Sequence, residues 1–272
     1  MTLDELQRSE YVRAAKWNPS ERRLVLSEVL GLSRTEQILA AEAQVADGKA
    51  AQILDIAQRS IAGEPLAYSL GVSYFDGLKL AIHPEVLIPR PDTETLVEVA
   101  SAVIAKHYIQ SIHDLCTGSG AVALALKARH PSCQISASDL SVPAVQCATQ
   151  NAKTLQLAVE LVQADLFEGL SEFQLITVNP PYIDWDDPDV DSDVVAHEPA
   201  LALFSENNGL FLIEQILRDA PKHLVAGGVL CLEHGHRQAH DVTKFATEMG
   251  WVAIETTQDL AGRDRVTRMH KL

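Results

Sequence analysis

A short glycine-containing loop between an apolar strand and an apolar helix is the feature that most constrains the fold of this chain. The loop sequence is residues 114–120 (Asp-Leu-Cys-Thr-Gly-Ser-Gly). Its first two residues end the strand candidate 111–115, and the helix candidate 122–129 follows it. Glycines let the backbone approach a ligand closely and let the helix pack near the strand. Strand-to-helix turns are also glycine-rich for steric reasons alone, so a purely structural turn without a ligand remains an alternative interpretation. The pattern predicts a strand–turn–helix unit of an α/β fold.

Acidic residues follow the next two strand candidates. Asp139 ends the apolar segment 133–138, about twenty residues past the loop, where a carboxylate can accept hydrogen bonds from both hydroxyls of a ribose. Asp165 follows segment 159–163 and precedes Leu166, which puts an acceptor for an adenine amine beside an apolar wall. Each acid alone is typical of an ordinary strand end. Their succession after the glycine loop indicates a nucleotide-like cofactor.

The apolar segment 173–178 predicts a buried strand, and it is closed by Asn179, Pro180, Pro181 and Tyr182. Two prolines end strand pairing and stiffen the loop. The Asn179 carboxamide and the proline carbonyls would then lie at the carboxyl edge of a sheet, where ligands bind in open α/β folds. Carbonyl oxygens suit a planar NH₂ group, and Tyr182 either shapes that slot or packs the strand end. With the loop upstream, the pattern predicts a methyltransferase acting on an amide or an exocyclic amine.

The chain resembles the release factor glutamine methyltransferases over nearly its whole length. Residues 87–94 together with residues 262–266 narrow the resemblance to this family, because Asn-Pro-Pro-Tyr alone also occurs in DNA and RNA amino-methyltransferases. The matching segments are residues 63–68, 87–94, 114–120, Asp139, 179–183, 197–199, 232–235 and 259–266. Where the family often has tryptophan after the strand-four acid, this chain has Leu166.

The resemblance implies a Rossmann-like class I methyltransferase with a seven-stranded sheet, mostly parallel with an antiparallel last strand, and a small amino-terminal helical bundle. It implies S-adenosylmethionine as cofactor, S-adenosylhomocysteine as product, and the glutamine of the Gly-Gly-Gln motif of peptide chain release factors as substrate. The implied cofactor-binding residues are Cys116, Thr117, Gly118, Ser119, Gly120, Asp139, Asp165, Leu166 and Asn179. The implied catalytic and substrate-binding residues are Asn179, Pro180, Pro181 and Tyr182, with Arg90 and Glu198 as further substrate-binding candidates.

Arg90 and Glu198 each have a second interpretation. Arg90 lies between Pro89 and Pro91, so its backbone is restrained and its side chain is a candidate for closing over the site, or for an ordinary interdomain salt bridge. Glu198 precedes Pro199, which is also a plain helix-start signal.

Three alternatives stay open. A ribosomal-protein glutamine methyltransferase often has Asp-Leu-Cys-Thr-Gly in its loop, as residues 114–118 do, but usually shows serine-proline where this chain has Pro91-Asp92. A nucleic-acid amino-methyltransferase shares Asn-Pro-Pro-Tyr, because adenine N6 is also a planar amine. A non-catalytic binding module would keep the fold without the reaction. Intact Asp139, Asn179 and Tyr182 argue against this last alternative.

Composition narrows the setting. A formal net charge of −15 argues against a generic duplex-DNA binder, which needs Lys and Arg to neutralise phosphates. The four cysteines form neither a CxxC pair nor a disulfide scaffold, so we expect a reducing cytoplasm. No signal peptide or membrane-length apolar segment is visible. We expect a monomer. We also expect no metal site, because no cysteine or acidic set completes a zinc pattern with His234, His236 and His240.

The chain divides into three predicted parts. Residues 1–73 form a helical substrate-recognition domain, with apolar residues at helical spacing in 21–30, 35–43 and 52–62. Residues 74–92 form a β-hairpin and linker, since Asp76-Gly77 stands between alternating apolar positions. Residues 93–272 form the methyltransferase domain, with a helix over 209–224, a turn at Gly227-Gly228 into a strand, and two last strands at 251–256 and 265–270.

Overall fold

A computed structural model describes residues 1–188 and 190–272, and it divides the chain into two compact units. The first unit comprises Met1–Val72 and Asp191–His197, and the second comprises Ser73–Val190 and Glu198–Leu272.

The helices are α1 (Leu3–Arg8), α2 (Glu10–Ala14), α3 (Pro19–Leu30), α4 (Arg34–Leu39), α5 (Asp47–Ile61), α6 (Leu66–Leu70), α7 (Glu94–His107), α8 (Ala121–Arg129), α9 (Val142–Leu155), α10 (Ser192–His197), α11 (Ala200–Leu203), α12 (Phe211–Asp219) and α13 (Ala239–Glu248). The strands are β1 (Val72–Phe75), β2 (Leu78–Ala81), β3 (Ser111–Leu115), β4 (Gln134–Asp139), β5 (Glu160–Gln163), β6 (Phe173–Val178), β7 (Leu224–Glu233), β8 (Val252–Gln258) and β9 (Asp264–His270). Short 3₁₀ helices lie at Pro91–Thr93 and Ala220–His223. In the described residues, no helix is both long enough and apolar enough to span a membrane.

The first unit is built from α1 to α6 and α10. Helices α1, α3 and α4 begin at reciprocal side-chain caps, in which an N-cap side chain and a glutamate three residues later satisfy free backbone N–H groups. The apolar faces of the unit bury a core that includes Leu6, Val25, Ile53 and Ile56. The helices expected over 21–30, 35–43 and 52–62 are present as α3, α4 and α5, although α4 ends at Leu39.

The second unit begins at Ser73, within β1 of the β1–β2 hairpin. Asp76 and Gly77 have φ values of 48° and 75°, as the expected two-residue hairpin turn requires. The Asn151 side chain then holds the end of the hairpin. Its Oδ1 accepts from the Ala81 N–H at 2.7 Å, and its Nδ2 donates to the Ala81 carbonyl at 3.0 Å and to the Ser119 carbonyl at 2.9 Å. One buried amide therefore links the hairpin to the glycine loop.

The main sheet has seven strands in the order β5-β4-β3-β6-β7-β9-β8. Strand β9 runs antiparallel to both of its neighbours, and the other pairs are parallel. This confirms the expected sheet with its antiparallel last strand. The chain leaves β3 toward β4 on one side and returns to β6 on the other, so the carboxyl end of β3 is a topological switch point, where open α/β sheets bind ligands.

Two local expectations near the end of the chain need correction. The helix expected over 209–224 begins at Phe211 and ends at Asp219, because Gly209 has a φ of 79° and Pro221 follows in a 3₁₀ turn. Gly227 and Gly228 lie inside β7 as a bulge, rather than in a turn before it, since the register against β6 shifts between Phe173 and Leu175. Two steps along β6, from Phe173 to Leu175, stand opposite five along β7, from Leu224 to Val229, so β7 carries three extra residues there. Gly227, with a φ of 71°, is one of the residues in this bulge.

Candidate active site

The glycine loop after β3 keeps its shape through two glycines with different roles. Gly120, with a φ of 83°, has little room for a side chain, because a Cβ there would lie 3.1 Å from both Ala148 Cβ and Leu124 Cδ1. Gly118, with a φ of 57°, has open space at the same position. Gly120 therefore lets α8 and α9 pack closely, whereas Gly118 leaves the backbone accessible to a ligand.

A buried carboxylate, Asp114, anchors this loop from below. It accepts hydrogen bonds from the hydroxyls of Thr117 at 2.6 Å and Thr177 at 2.7 Å. Burial raises the pKa of Asp114 to about 6, against the lowering effect of these hydrogen bonds. Since Thr177 belongs to β6, Asp114 ties the loop to the strand that ends just before Asn179.

Asp139 stands at the end of β4, facing the loop. Its two oxygens accept from the backbone N–H groups of Gly118 at 2.8 Å and Ser141 at 2.9 Å. Burial raises the pKa of the Asp139 carboxyl, while these hydrogen bonds oppose the rise. A carboxylate has about four lone-pair positions, so Asp139 keeps capacity for further donors such as ribose hydroxyls.

A cavity of about 820 Å³, including space open to solvent, lies where these elements meet. Its wall includes Glu85, Val86, Leu87, Cys116, Gly118, Ser138, Asp139, Leu140, Ser141, Ala144, Ala164, Asp165, Leu166, Asn179, Pro181, Pro199, Leu201, Ala202 and Leu212. Three carboxylates and many apolar side chains thus surround one space, which suits a cation that carries an apolar ring.

The structure brings seven of the expected site residues into this wall. They are Cys116, Gly118, Asp139, Asp165, Leu166, Asn179 and Pro181. Thr117, Ser119 and Gly120 are buried and support the loop from behind, and Pro180 is buried at the strand end. Burial raises the pKa of the Cys116 thiol, so it faces the cavity as a neutral group.

Asn179 and Tyr182 are joined through a buried hydrogen-bond network. Asn179 Nδ2 donates to Thr93 Oγ1 at 3.2 Å, and the Thr93 hydroxyl donates to Glu233 Oε1 at 3.2 Å. The Tyr182 hydroxyl donates to the same Glu233 oxygen at 3.1 Å, and Arg265 Nη1 lies 3.5 Å from Tyr182 Oη. Burial, followed by the Glu233 charge, raises the pKa of Tyr182, so its hydroxyl stays protonated. Tyr182 therefore packs and hydrogen-bonds below the loop.

The backbone after Asn179 is held by two residues. Gln238 Nε2 donates to the Tyr182 carbonyl at 2.9 Å and to the Asn208 carbonyl at 3.0 Å. Gly209 lies against the same Tyr182 carbonyl, because a Cβ on Gly209 would be only 2.0 Å from that oxygen. These contacts therefore fix the position of the loop backbone at the Tyr182 carbonyl.

Arg90 and Glu198 lie in contact with each other. Arg90 Nη2 donates to Glu198 Oε1 at 2.5 Å, and the Ile88 N–H donates to Glu198 Oε2 at 3.3 Å. The Glu198 side chain is only 1% exposed. The pair therefore holds the segment after Leu87 beside Pro199. Leu87 and Pro199 both belong to the cavity wall.

Several supporting residues had no assigned role in the sequence-based interpretation: Thr93, Asp114, Asn151, Gly209, Glu233 and Gln238. Thr93 and Glu233 lie in motif segments that carry the resemblance, which was the only available signal. Their contact joins positions 140 residues apart, and no periodicity or spacing indicates such a pair.

The sheet order, the glycine loop and the carboxylate at the end of β4 define the chain as a methyltransferase of the Rossmann-like type. The family model "Methyltransferase small domain" matches residues 93–249, and "PrmC N-terminal domain" matches residues 9–71. A solved structure of the Thermus thermophilus 16S rRNA N2 G1207 methyltransferase (RsmC), in complex with AdoMet and guanosine, has the same fold, with a TM-score of 0.53 and 16% identity. The similarity covers 74% of this chain and 50% of that one.

Curated relatives narrow the class. The release factor glutamine methyltransferase of Salmonella typhimurium is 39% identical over 264 residues, 95% of each chain. That of Vibrio cholerae is 42% identical over 216 residues, 77% of this chain and 74% of the relative. The chain belongs to the release factor glutamine methyltransferase family. The expected methyltransferase class and S-adenosylmethionine cofactor are thereby confirmed, and the relatives support the release factor interpretation over the ribosomal-protein alternative.

Proposed function

We propose that this chain methylates the side-chain amide nitrogen (N5) of the glutamine in the Gly-Gly-Gln motif of peptide chain release factors, and thereby modulates translation termination. The observation that carries the proposal is the position of Asn179. Asn179 lies in the cavity wall, and its Nδ2 donates a hydrogen bond to Thr93 Oγ1. The carboxamide oxygen is therefore the end available to a substrate NH₂ group. A planar amide with two N–H donors fits such an acceptor.

The cavity also suits the methyl donor. Gly118 leaves its backbone open, and Asp139 retains acceptor capacity for ribose hydroxyls. Asp165 and Leu166 supply an acceptor and an apolar surface for the adenine, while Cys116 adds a neutral group. S-adenosylmethionine supplies an electrophilic methyl group on a positively charged sulfur, and the carboxylates of the wall favour binding of a cation.

Residues 179–182, which we call the Asn179 loop, compensate for the low reactivity of the substrate nitrogen. The glutamine amide nitrogen is a weak nucleophile, because its lone pair is delocalised into the carbonyl, as in a peptide bond. The Asn179 oxygen and the Pro180 carbonyl accept the two N–H groups and orient the nitrogen. These acceptors also stabilise the positive charge that develops on it. Positioning of this kind is worth up to roughly 7–11 kcal/mol in favourable models, and the proton leaves after transfer, when the nitrogen is more acidic.

The remaining assignments concern the substrate protein and the setting. Residues 1–73 recognise the release factor, and residues 93–272 carry out the methyl transfer. Residues 74–92 form the hairpin and linker between them. Arg90 and Glu198 border the substrate side of the site. Recognition by the helical bundle is expected because a glutamine on a folded partner needs an interface larger than one amide. The enzyme acts as a monomer in the cytoplasm. It makes no direct contact with nucleic acid, and the net charge of −15 supports this last point.

Label transfer tests the proposal. The protein is incubated with methyl-labelled S-adenosylmethionine and, separately, with a release factor, the same factor with its Gly-Gly-Gln glutamine replaced, a large-subunit ribosomal protein and duplex DNA. Mass spectrometry then locates the label. Label on the release factor glutamine alone is the expected result. Label on the ribosomal protein or the DNA instead would replace the proposal by the corresponding alternative, and bound cofactor without any transfer would favour a non-catalytic role.

A further inference from the structure

The acceptor role of Asn179 depends on which end of its carboxamide faces the substrate. The oxygen accepts hydrogen bonds and the NH₂ group donates them, yet the two ends have nearly the same shape. A carboxamide that turns end for end would present donors to a substrate NH₂ group and would repel it. A neighbouring group must therefore distinguish the two orientations.

Thr93 is that neighbour. Its hydroxyl has a single hydrogen, which it donates to Glu233 Oε1 at 3.2 Å. Only lone pairs of Thr93 Oγ1 remain for Asn179, whose Nδ2 lies 3.2 Å away. With the opposite orientation, the Asn179 oxygen would face an oxygen that has no hydrogen to offer. The hydroxyl therefore selects the orientation in which the Asn179 oxygen is free.

Glu233 in turn fixes the direction of the Thr93 hydroxyl. Its side chain is fully buried at the end of β7, and its Oε1 accepts from both Thr93 and Tyr182. In the described part of the chain, Glu233 Oε2 has no hydrogen-bond partner. A proton on Oε2 would leave Oε1 as an acceptor, so Oε1 receives the Thr93 hydrogen whether or not the carboxyl is ionised.

We propose that Thr93 is a positioning residue which, held by Glu233, keeps the Asn179 oxygen toward the acceptor and so makes the site select a glutamine amide over a glutamate carboxylate. This inference rests on the proposed function. An ionised carboxylate has acceptors only, and it is repelled by the Asn179 oxygen and the Pro180 carbonyl. If the Asn179 carboxamide can turn, its NH₂ end donates to a carboxylate, and the discrimination decreases.

A matched pair of variants tests this inference. Thr93→Val keeps the branched shape and removes the hydroxyl, whereas Thr93→Ser keeps the hydroxyl. Titration calorimetry with S-adenosylhomocysteine present measures the affinity for a release factor with Gly-Gly-Gln and for the same factor with Gly-Gly-Glu. We expect the ratio of the two affinities to fall about tenfold in Thr93→Val, the effect of one hydrogen bond of ordinary strength. The serine variant restores the wild-type ratio.

Kinetics give a second readout. With the Gly-Gly-Gln factor, we expect kcat of Thr93→Val to fall roughly 10- to 100-fold, because the acceptor is no longer held in place. Affinity for S-adenosylhomocysteine should fall far less than kcat, since Asp139 and Gly118 are not part of the network. If Thr93→Val does not fold, Glu233→Ala takes its place, and it should lower the ratio because the freed Thr93 hydroxyl can then donate to the Asn179 oxygen.

Two results would overturn the inference. In one, a folded Thr93→Val protein keeps the wild-type discrimination and kcat. In the other, the valine and serine variants are equally impaired, so that the hydroxyl is not the cause. Failure of the wild-type enzyme to label the glutamine is a different outcome, because it removes the proposed function before any variant is compared.

Discussion

Replacing Gly209 by alanine should displace the backbone of the Asn179 loop without touching any residue of the cavity wall. A Cβ at this position would lie 2.0 Å from the Tyr182 carbonyl oxygen and 2.8 Å from Gln238 Nε2. Carbon and oxygen normally approach to about 3.3 Å, so the Tyr182 carbonyl must move by roughly 1.3 Å. The hydrogen bond between Gln238 and that carbonyl is then strained or lost.

The expected magnitudes follow from these contacts. A misplacement of about 1 Å near a reacting group can lower the rate roughly 10²-fold, so we expect a kcat decrease of that order. Stability should fall by about 3–6 kcal/mol. That sum combines about 1–2 kcal/mol for alanine at a φ of 79°, about 1–3 kcal/mol for overpacking and about 1 kcal/mol for the hydrogen bond.

Gly250→Ala is the matched control. Gly250 has a similar φ of 85° and belongs to the same unit, and a Cβ at this position would have no atom within 4 Å. The substitution should cost only the backbone strain, about 1–2 kcal/mol, and leave kcat unchanged. Urea unfolding and single-turnover methyl transfer measure both variants. Equal losses of stability and equal kcat values in the two variants would refute the packing role of Gly209.

Three further outcomes are expected. Asn179→Ala should abolish methyl transfer while calorimetry still detects cofactor binding, and equal loss of both would contradict the acceptor role. Asp139→Ala should reverse this order, weakening cofactor binding first. Burial raises the pKa of Glu233 from 4.5 to about 7, so between those pH values the unfolded chain ionises before the folded one and stability falls as pH rises, by about 3 kcal/mol in all. Glu233→Gln should remove that part of the pH dependence in urea titrations, and an unchanged slope would argue against it.

Features that depend on neighbouring residues were predictable from the sequence. The strand at 173–178, the hairpin turn at Asp76-Gly77 and the acid at the end of β4 are signalled by alternation, glycine and proline within a few residues. The order of the strands came from the family resemblance, because apolar alternation does not specify which strands are neighbours.

Features that depend on distant partners were not predictable. The sequence indicated Arg90 and Glu198 as separate candidates, and the structure pairs them across 108 residues. Likewise, Gly227 and Gly228 are typical of a turn, and only the register against β6 reveals that they form a bulge. Thr93 and Glu233 gave no local signal of their contact, since hydrogen bonds between buried side chains are determined by packing in three dimensions.

The cost of Glu233 is itself an argument about function. A carboxyl that is fully buried, with one oxygen unpartnered in the described residues, is ionised only at an energetic penalty near neutral pH. An apolar residue of similar volume at such a position is often neutral or stabilising. Stability alone therefore does not account for a carboxyl at the end of β7. Fixing the hydrogens of Thr93 and Tyr182 does account for it, because Glu233 Oε1 receives both hydroxyls and so leaves the Asn179 oxygen for the substrate.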